Sequence, residues 1–326
     1  MNRFAHTWPN HQSKIIHHKF VKVFVTGASG FVGREILRHL YAAEHSVRIL
    51  ARDRRSLRVH KAEAEHRVEI HPGNVLHAPS LVGALTDCDA VIHLVGIISE
   101  GGESTFENIH IRGTQNIVSA TQQAKVKRFI QMSALGTRAN AVSRYHQSKW
   151  AAEEIVRRSG LDFTIFRPSI IYGPDDQFVN LFARMSRFSP VLPVMGGEQS
   201  RFQPISVGDV ATCFLRALTE PKSIGQTFDL CGGEVLTLEV ILDQILSVMG
   251  QRRFKLHVPL GVARYQAALL EFVFARLLGK SPPLNRDQLV MLQEGNVGNP
   301  QPANDLFESK PIPFREGITR YLKRDE

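Results

Sequence analysis

Cysteine is scarce in this chain, with three in 326 residues. Cys88, Cys213 and Cys231 lie far apart and lack metal-ligand spacing, which argues against a disulfide framework and a cysteine-built metal site. Unpaired thiols in a reducing compartment are the simplest reading. Long charge-free apolar runs are also missing. The best of them, LGVARYQAALLEFVFARLLG at 260–279, is broken by Arg264, Glu271 and Arg276, so it does not read as a membrane span. Internal repeats and low-complexity tracts are absent. No helix-turn-helix signature, zinc-finger spacing or interleaved aromatic-basic pattern accompanies the densest basic run, ARDRRSLRVHK at 51–61. That lack argues against nucleic acid as the partner for a formal charge of +9. An anionic cofactor and an anionic membrane surface account for the same charge.

What is present suits an ordinary globular protein, with 43% apolar and 22% charged residues. A chain of this length buries a large core as one big domain or two closely joined ones. Residues 1–20, MNRFAHTWPNHQSKIIHHKF, hold no acid, one arginine and little amphipathic periodicity. They read as a flexible extension, and no acid or cysteine joins His6, His11, His17 and His18 to make a metal site.

The segment KVFVTGASGFVGREILRHL at 22–40 runs from an apolar strand through glycines into an amphipathic helix. Gly27 allows the tight turn, Gly30 lets a pyrophosphate approach the backbone, and Gly33 lets helix and strand pack closely. The phosphates would sit on the free amides of the turn and helix start, Ser29, Gly30, Phe31 and Val32, where the helix dipole favours negative charge. The next strand, SVRILAR at 46–52, ends where an adenosine ribose would lie. There Arg52 and Arg55 offer guanidinium groups for a ribose phosphate, although Asp53 between them blurs the choice. NADP(H) is therefore preferred over NAD(H).

Further strands are expected at 67–74, 89–96, 128–134 and 162–169, separated by helical patterns at 106–124 and 145–159. Such alternation implies a parallel sheet covered on both faces, with the strand ends and the glycine turn on one edge. Asn74, Val75, Leu94, Val95 and Gly96 fall at those ends as cofactor neighbours or simple turn residues. The fold class is α/β, a Rossmann-like doubly wound parallel sheet with a smaller, mostly helical C-terminal subdomain. Residues 21–235 would form the nucleotide-binding domain, with 176–204 contributing to the substrate side. Residues 236–326 would form the substrate or partner subdomain, with helices at 236–250, 261–279 and 285–295.

On a helix, Tyr145 and Lys149 in YHQSK share one face. A free tyrosine has a pKa of about 10. A lysine cation beside it lowers that value, making the phenol a usable proton donor or acceptor during hydride transfer. The helix at 261–279 is apolar around most of its circumference, which suits burial, a lipid or subunit contact, or the wall of an apolar pocket.

TGASGFVG (26–33), HLVG (93–96), GTQN (113–116), YHQSK (145–149), RPSIIYGP (167–174) and FQPISVGDVA (202–211) occur in the order of the short-chain dehydrogenase/reductase superfamily. The chain resembles its extended or atypical branches. QMSALGT, YHQSKWAAEE, PVLPVMGGEQSRFQPISVGDVA and the later LNRDQLVMLQEGNVGNP (284–300) narrow this. They resemble the NADPH-binding accessory subunits of respiratory complex I and their bacterial relatives. That resemblance implies a held NADPH with a structural, assembly or regulatory role. It also implies a respiratory-chain or membrane-surface partner, and a cytoplasmic location peripheral to the inner membrane, or the mitochondrial matrix in a eukaryote.

The superfamily assigns Tyr145 and Lys149 acid–base roles, gives Lys149 the nicotinamide ribose, and brings Pro168 to the carboxamide. A hydroxyl residue ending the preceding strand orients the substrate. Here Ala134 takes that place, leaving Ser133 as the catalytic candidate and Ser143 as a weaker one. His110 stands where extended members often carry Asn. These departures favour the cofactor holder. The intact pair favours an NAD(P)-dependent oxidoreductase or epimerase-like enzyme on a hydrophobic carbonyl, quinone or isoprenoid-like substrate. A redox-sensing regulator uses the same fold. Few polar groups in the C-terminal part suit a sugar nucleotide, which weakens the epimerase form.

Overall fold

Apolar runs alternate with amphipathic helices, so helices can cover both faces of a central parallel sheet. The computed structural model describes residues 21–52, 68–195, 200–258, 261–262, 265 and 286–322. The first half contains β1 (Lys22–Thr26), α1 (Phe31–Ala42), β2 (Ser46–Ala51), β3 (Val68–Pro72), β4 (Ala90–His93), α2 (Gly113–Gln123), β5 (Arg128–Met132), α3 (Arg144–Arg157) and β6 (Asp162–Pro168). There follow β7 (Ile171–Tyr172), α4 (Val179–Phe188), β8 (Val191–Met195), β9 (Arg201–Phe202), β10 (Ile205–Ser206), α5 (Val207–Ala217) and β11 (Gln226–Leu230). The last part holds β12 (Leu236–Thr237), α6 (Leu238–Val248), β13 (Phe254–Val258), α7 (Arg286–Glu294), α8 (Gln301–Leu306) and α9 (Phe314–Leu322).

Seven strands form one sheet in the order β11-β6-β5-β4-β1-β2-β3, and every pairing is parallel. The chain builds outward from β1 to β3, then returns to the other side of β1 with β4. This reversal opens a crevice at the carboxyl ends of β1 and β4, the place where such sheets take ligands. One face of the sheet packs Val23, Val25 and Ile92 against Ile36 and Leu40 of α1 and Val210 and Phe214 of α5. The other packs Phe24, Val91, Phe129 and Ile165 against Ile117 of α2 and Val156 of α3. Burial on both faces explains why these strands read as continuous apolar runs.

A third core joins α4, α6, α9 and β8 through Ala183, Leu192, Ile241, Ile245, Phe314 and Ile318. Helix α8 returns to the large sheet, where Phe307 packs on Phe166 and Phe228 with ring centroids 5.4 and 5.2 Å away.

Two expectations change in detail. The helix expected at 106–124 is a π-helical turn, Glu107–Arg112, followed by α2. Ser206 caps α5: its hydroxyl accepts from the Asp209 amide and donates back to the carboxylate at 2.6 Å. The helix expected at 236–250 starts at Leu238, because Leu236–Thr237 pair with β9 and Thr237 caps the helix. The apolar helix at 261–279 lies outside the described residues apart from 261–262 and 265, as does the extension at 1–20. No helix among the described residues is long and apolar enough to cross a membrane.

Candidate functional site

The glycine turn is built by close backbone approach. Gly27 has φ +76°, a left-handed conformation that favours glycine, and a Cβ there would lie 3.0 Å from the Leu94 carbonyl carbon. A Cβ on Gly33 would lie 2.3 Å from the Gly27 oxygen and 2.7 Å from Ala28 Cα. The Gly30 amide donates to the Gly27 carbonyl at 3.0 Å, closing the turn. Helix α1 then starts with no side-chain cap and no acid in its first turn, leaving its first amides to serve an anion. Ser29 and Gly30 are exposed there, while Val32 and Gly33 are buried. Phe31 lies along the Gly173 turn, where a Cβ on Gly173 would stand 3.1 Å from its ring. These features fit a dinucleotide pyrophosphate.

The neighbouring strand ends converge on the same edge. Arg52 is exposed directly after β2; Asp53 and Arg55 lie outside the described residues. Asn74 shapes the turn after β3, its Oδ1 accepting from the Leu76 amide at 3.0 Å. Buried Val75 packs on Gly113, and its carbonyl accepts from Asn116 Nδ2 at 2.8 Å. Leu94 is buried, Val95 half-buried and Gly96 exposed. A Cβ on Gly96 would stand 3.4 Å from His110 Nε2 and 3.7 Å from Lys149 Nζ. Those two side chains therefore share one corner with the strand β4 exit. Buried Pro168 ends β6, and its carbonyl accepts from the Leu135 amide at 2.9 Å.

Lys149 is buried and donates to the Met132 carbonyl at 2.7 Å, tying α3 to the end of β5. Burial pushes its ammonium down to about 8, against the opposing pull of Glu153. Glu153 is fully buried and held by Arg157 at 2.5 Å and Arg167 at 2.6 Å. Tyr145 is half-buried, edge-on to Phe106, His110 and His146 at 5.9, 5.5 and 5.3 Å. Its hydroxyl has no hydrogen-bond partner among the described residues, and burial pushes the phenol up to about 12. The expected lowering by Lys149 is thus absent, because that ammonium is turned to Met132. The Ser133 hydroxyl faces Thr137 Oγ1 at 3.4 Å. Ser143 caps α3, accepting from the His146 amide at 3.3 Å.

Beneath the pair lie two histidines. The Ile97 amide donates to His110 Nε2 at 3.0 Å, so the ring proton belongs on Nδ1, which donates to Ser148 Oγ at 2.8 Å. That hydroxyl donates in turn to the Tyr145 carbonyl at 2.7 Å. Burial, helped by the Lys149 charge, pushes His110 down to about 2, so it stays neutral. His93 sits between Thr26 Oγ1 at 2.6 Å and Thr114 Oγ1 at 3.2 Å; burial and Lys149 push it down to about 3.

Asp287 is the residue that sequence reasoning missed. From α7 it accepts the Ser143 hydroxyl at 2.9 Å, the Arg144 amide at 2.8 Å and the Tyr145 amide at 3.1 Å. A carboxylate at a helix start is favoured by the helix dipole. Glu294, at the other end of α7, pairs with Arg138 at 2.5 Å and lies 3.6 Å from His146 Nδ1. The LNRDQLVMLQEG segment held the signal, since it carries two acids at the ends of a short helix. Nothing local showed where they would reach.

A family model described as NAD(P)H-binding matches residues 27–221. The chain belongs to this NAD(P)H-binding family. It is 28% identical over 279 residues to the mitochondrial NADH dehydrogenase (ubiquinone) 1 alpha subcomplex subunit 9 of Arabidopsis thaliana, covering 84% of this chain and 68% of that one. It is 34% identical over 190 residues to the ceramide reductase of Caulobacter vibrioides, spanning 58% of each. The UDP-glucose 4-epimerase of Thermotoga maritima shares the fold, with a TM-score of 0.71 at 17% identity over 93% of this chain and 97% of that chain. The short-chain-dehydrogenase resemblance read from the motifs thus holds for fold and nucleotide class in this NAD(P)H-binding protein.

Proposed function

We propose that this chain holds NADP(H) as an accessory protein of a respiratory-chain complex, the cofactor serving structure, assembly or regulation. The observation that carries the reading is the disassembled acid–base set. The Tyr145 hydroxyl is unpartnered among the described residues, Ser133 turns to Thr137, and Lys149 is committed to a backbone carbonyl. A phenol pushed up to about 12 gives up its proton poorly at neutral pH. Similarity to a complex I subunit over most of the chain supports the partner class. The same similarity supports a place beside the inner membrane, on the matrix side in a eukaryote.

In this reading the amides of Ser29, Phe31, Val32 and Gly33 bind the pyrophosphate, Gly30 lets it approach the backbone, and Gly27 admits it. Arg52, with Arg55, selects the ribose phosphate and so favours NADP(H) over NAD(H). Asn74 and Val75 border the adenine, Leu94 to Gly96 floor the ribose, and Pro168 meets the carboxamide. Lys149 and Tyr145 grip the nicotinamide ribose, while Ser133 borders the ring. The hydride that bound NADPH would supply stays on the nucleotide in this reading. Residues 21–235 form the holder, with 176–204 closing over it, and 236–326 face the partner.

A second reading is a reductase of a hydrophobic carbonyl, quinone or isoprenoid-like substrate. It is favoured by Tyr145 and Lys149 sharing one helix face beside Ser133, and by the ceramide reductase similarity. Here Tyr145 would give the proton, Lys149 would lower its pKa once its ammonium turned from the Met132 carbonyl to the phenol, and Ser133 would orient the carbonyl.

The near-ultraviolet absorbance of NADPH-loaded protein, followed after adding lipid and quinone extract, separates the two. The holder keeps its reduced nucleotide, and Tyr145→Phe changes little. Catalytic loss of the reduced form, abolished by Tyr145→Phe, would replace the holder with the reductase.

A further inference from the structure

We infer that the solvent face shared by α4 and β13 docks on the surface of an anionic lipid bilayer. This deepens the membrane-side location proposed above and rests on it. Helix α4 buries Val179, Ala183 and Ser186 in the third core. Its outer stripe is Leu181, Arg184 and Phe188, spaced three and four residues apart and all exposed, Phe188 at 89%. A phenylalanine at the solvent end of a helix contributes nothing to the core it leaves.

Strand β13 continues the stripe. The Phe254 amide donates to the Pro190 carbonyl at 2.9 Å, and Arg253 Nε donates to the Ser186 carbonyl at 2.6 Å, so the strand starts beside the helix end. Alternation puts Phe254 and Leu256 on one side, 68% and 51% exposed. Lys255 turns to the other side and pairs with Glu239 at 2.9 Å and Asp243 at 2.8 Å. Val262 and Tyr265, also exposed, continue the apolar series along the chain.

Charge decides the occupant. Arg184 and Arg252 are exposed and have no acidic partner among the described residues. The acids nearest β13 are already engaged: Glu239 and Asp243 by Lys255, and Glu239 also by His257 at 3.7 Å. Among the described residues the segments that form this face therefore carry two exposed guanidinium groups without an acidic partner, alongside protruding apolar side chains. A second copy of this chain would bring the same positive charge and be repelled. An anionic bilayer answers both features, with phosphates for the arginines and acyl chains for Phe188, Phe254 and Leu256.

The test uses the full NADPH-loaded chain and vesicles of phosphatidylcholine, with or without phosphatidylglycerol. Cosedimentation with the anionic vesicles only, weakened by salt, is expected. Arg184→Gln with Arg252→Gln should lower partitioning about thirtyfold. Phe188→Ser with Phe254→Ser should lower it at least about tenfold, with nucleotide retention and melting temperature unchanged in both. Equal binding of variants and wild type, or no binding to anionic vesicles, would overturn the inference. So would a concentration-dependent dimer that either variant breaks. Retained nucleotide without vesicle binding removes only this surface; vesicle binding by a chain that cannot hold NADPH removes only the holder.

Discussion

Asp287→Ala tests whether α7 holds the helix of the acid–base pair in place. The substitution takes one carboxylate from three donors at the start of α3. The exposed Arg144 amide regains water and loses little. The Ser143 hydroxyl, fully buried, and the partly buried Tyr145 amide are left without that acceptor. An unsatisfied buried donor costs about 1 kcal/mol or more, and the lost charge at the helix start adds roughly 0.5 kcal/mol. The sum is about 2–3 kcal/mol. Asp287→Asn keeps one acceptor oxygen and should cost only about 1 kcal/mol. Urea unfolding at neutral pH, comparing midpoints at equal slope, reads both values. An alanine variant within about 0.5 kcal/mol of wild type refutes the reasoning. So does an asparagine variant as damaging as alanine.

Gly33→Ala places a methyl 2.3 Å from a backbone oxygen, so the glycine turn must open; a loss of about 3 kcal/mol and of NADPH binding is expected by calorimetry, and unchanged affinity counts against the site. Lys149 titrates near 8 in the folded chain and near 10.4 when unfolded, so between these values the unfolded chain binds the extra proton and stability rises with pH. Relative to Lys149→Met, the wild type should therefore gain about 3 kcal/mol from pH ~8 to ~10.5, and a flat difference would contradict the burial argument. His110 should show the nitrogen-15 pattern of a neutral ring protonated on Nδ1 down to pH ~5; an imidazolium signal there would break the Ile97–His110–Ser148 chain.

Most of the sheet was legible because its strands are short apolar runs punctuated by turn residues, and the glycine turn carries its own spacing. The expected strands at 128–134 and 162–169 appear at Arg128–Met132 and Asp162–Pro168. One failure is local and two are long-range. Helical periodicity does not distinguish a π-helical turn from an α-helical one, so the bulge that sets His110 beside Gly96 was invisible. The Tyr145–Lys149 spacing gave a shared face, yet the lysine's hydrogen bond is decided by the Met132 carbonyl on another element. Asp287 reaches a helix start 142 to 144 positions earlier, which no local pattern encodes.

The return of α8 to the large sheet bears on how the protein is made. Phe307 and Ala303 belong to the same core as β1, α1 and α5. Phe307 packs on Phe166 and Phe228, and Arg216 hydrogen-bonds the Phe307 carbonyl. A nascent chain stopped at residue 235 would have its glycine turn and every strand of the large sheet, but those two phenylalanines would lack their cover. The layer nearest β11 thus closes only after Ala303 and Phe307 have left the ribosome. Synthesis of the nucleotide site and its completion are separate events, and a chaperone that shields an aromatic surface has a defined interval in which to act.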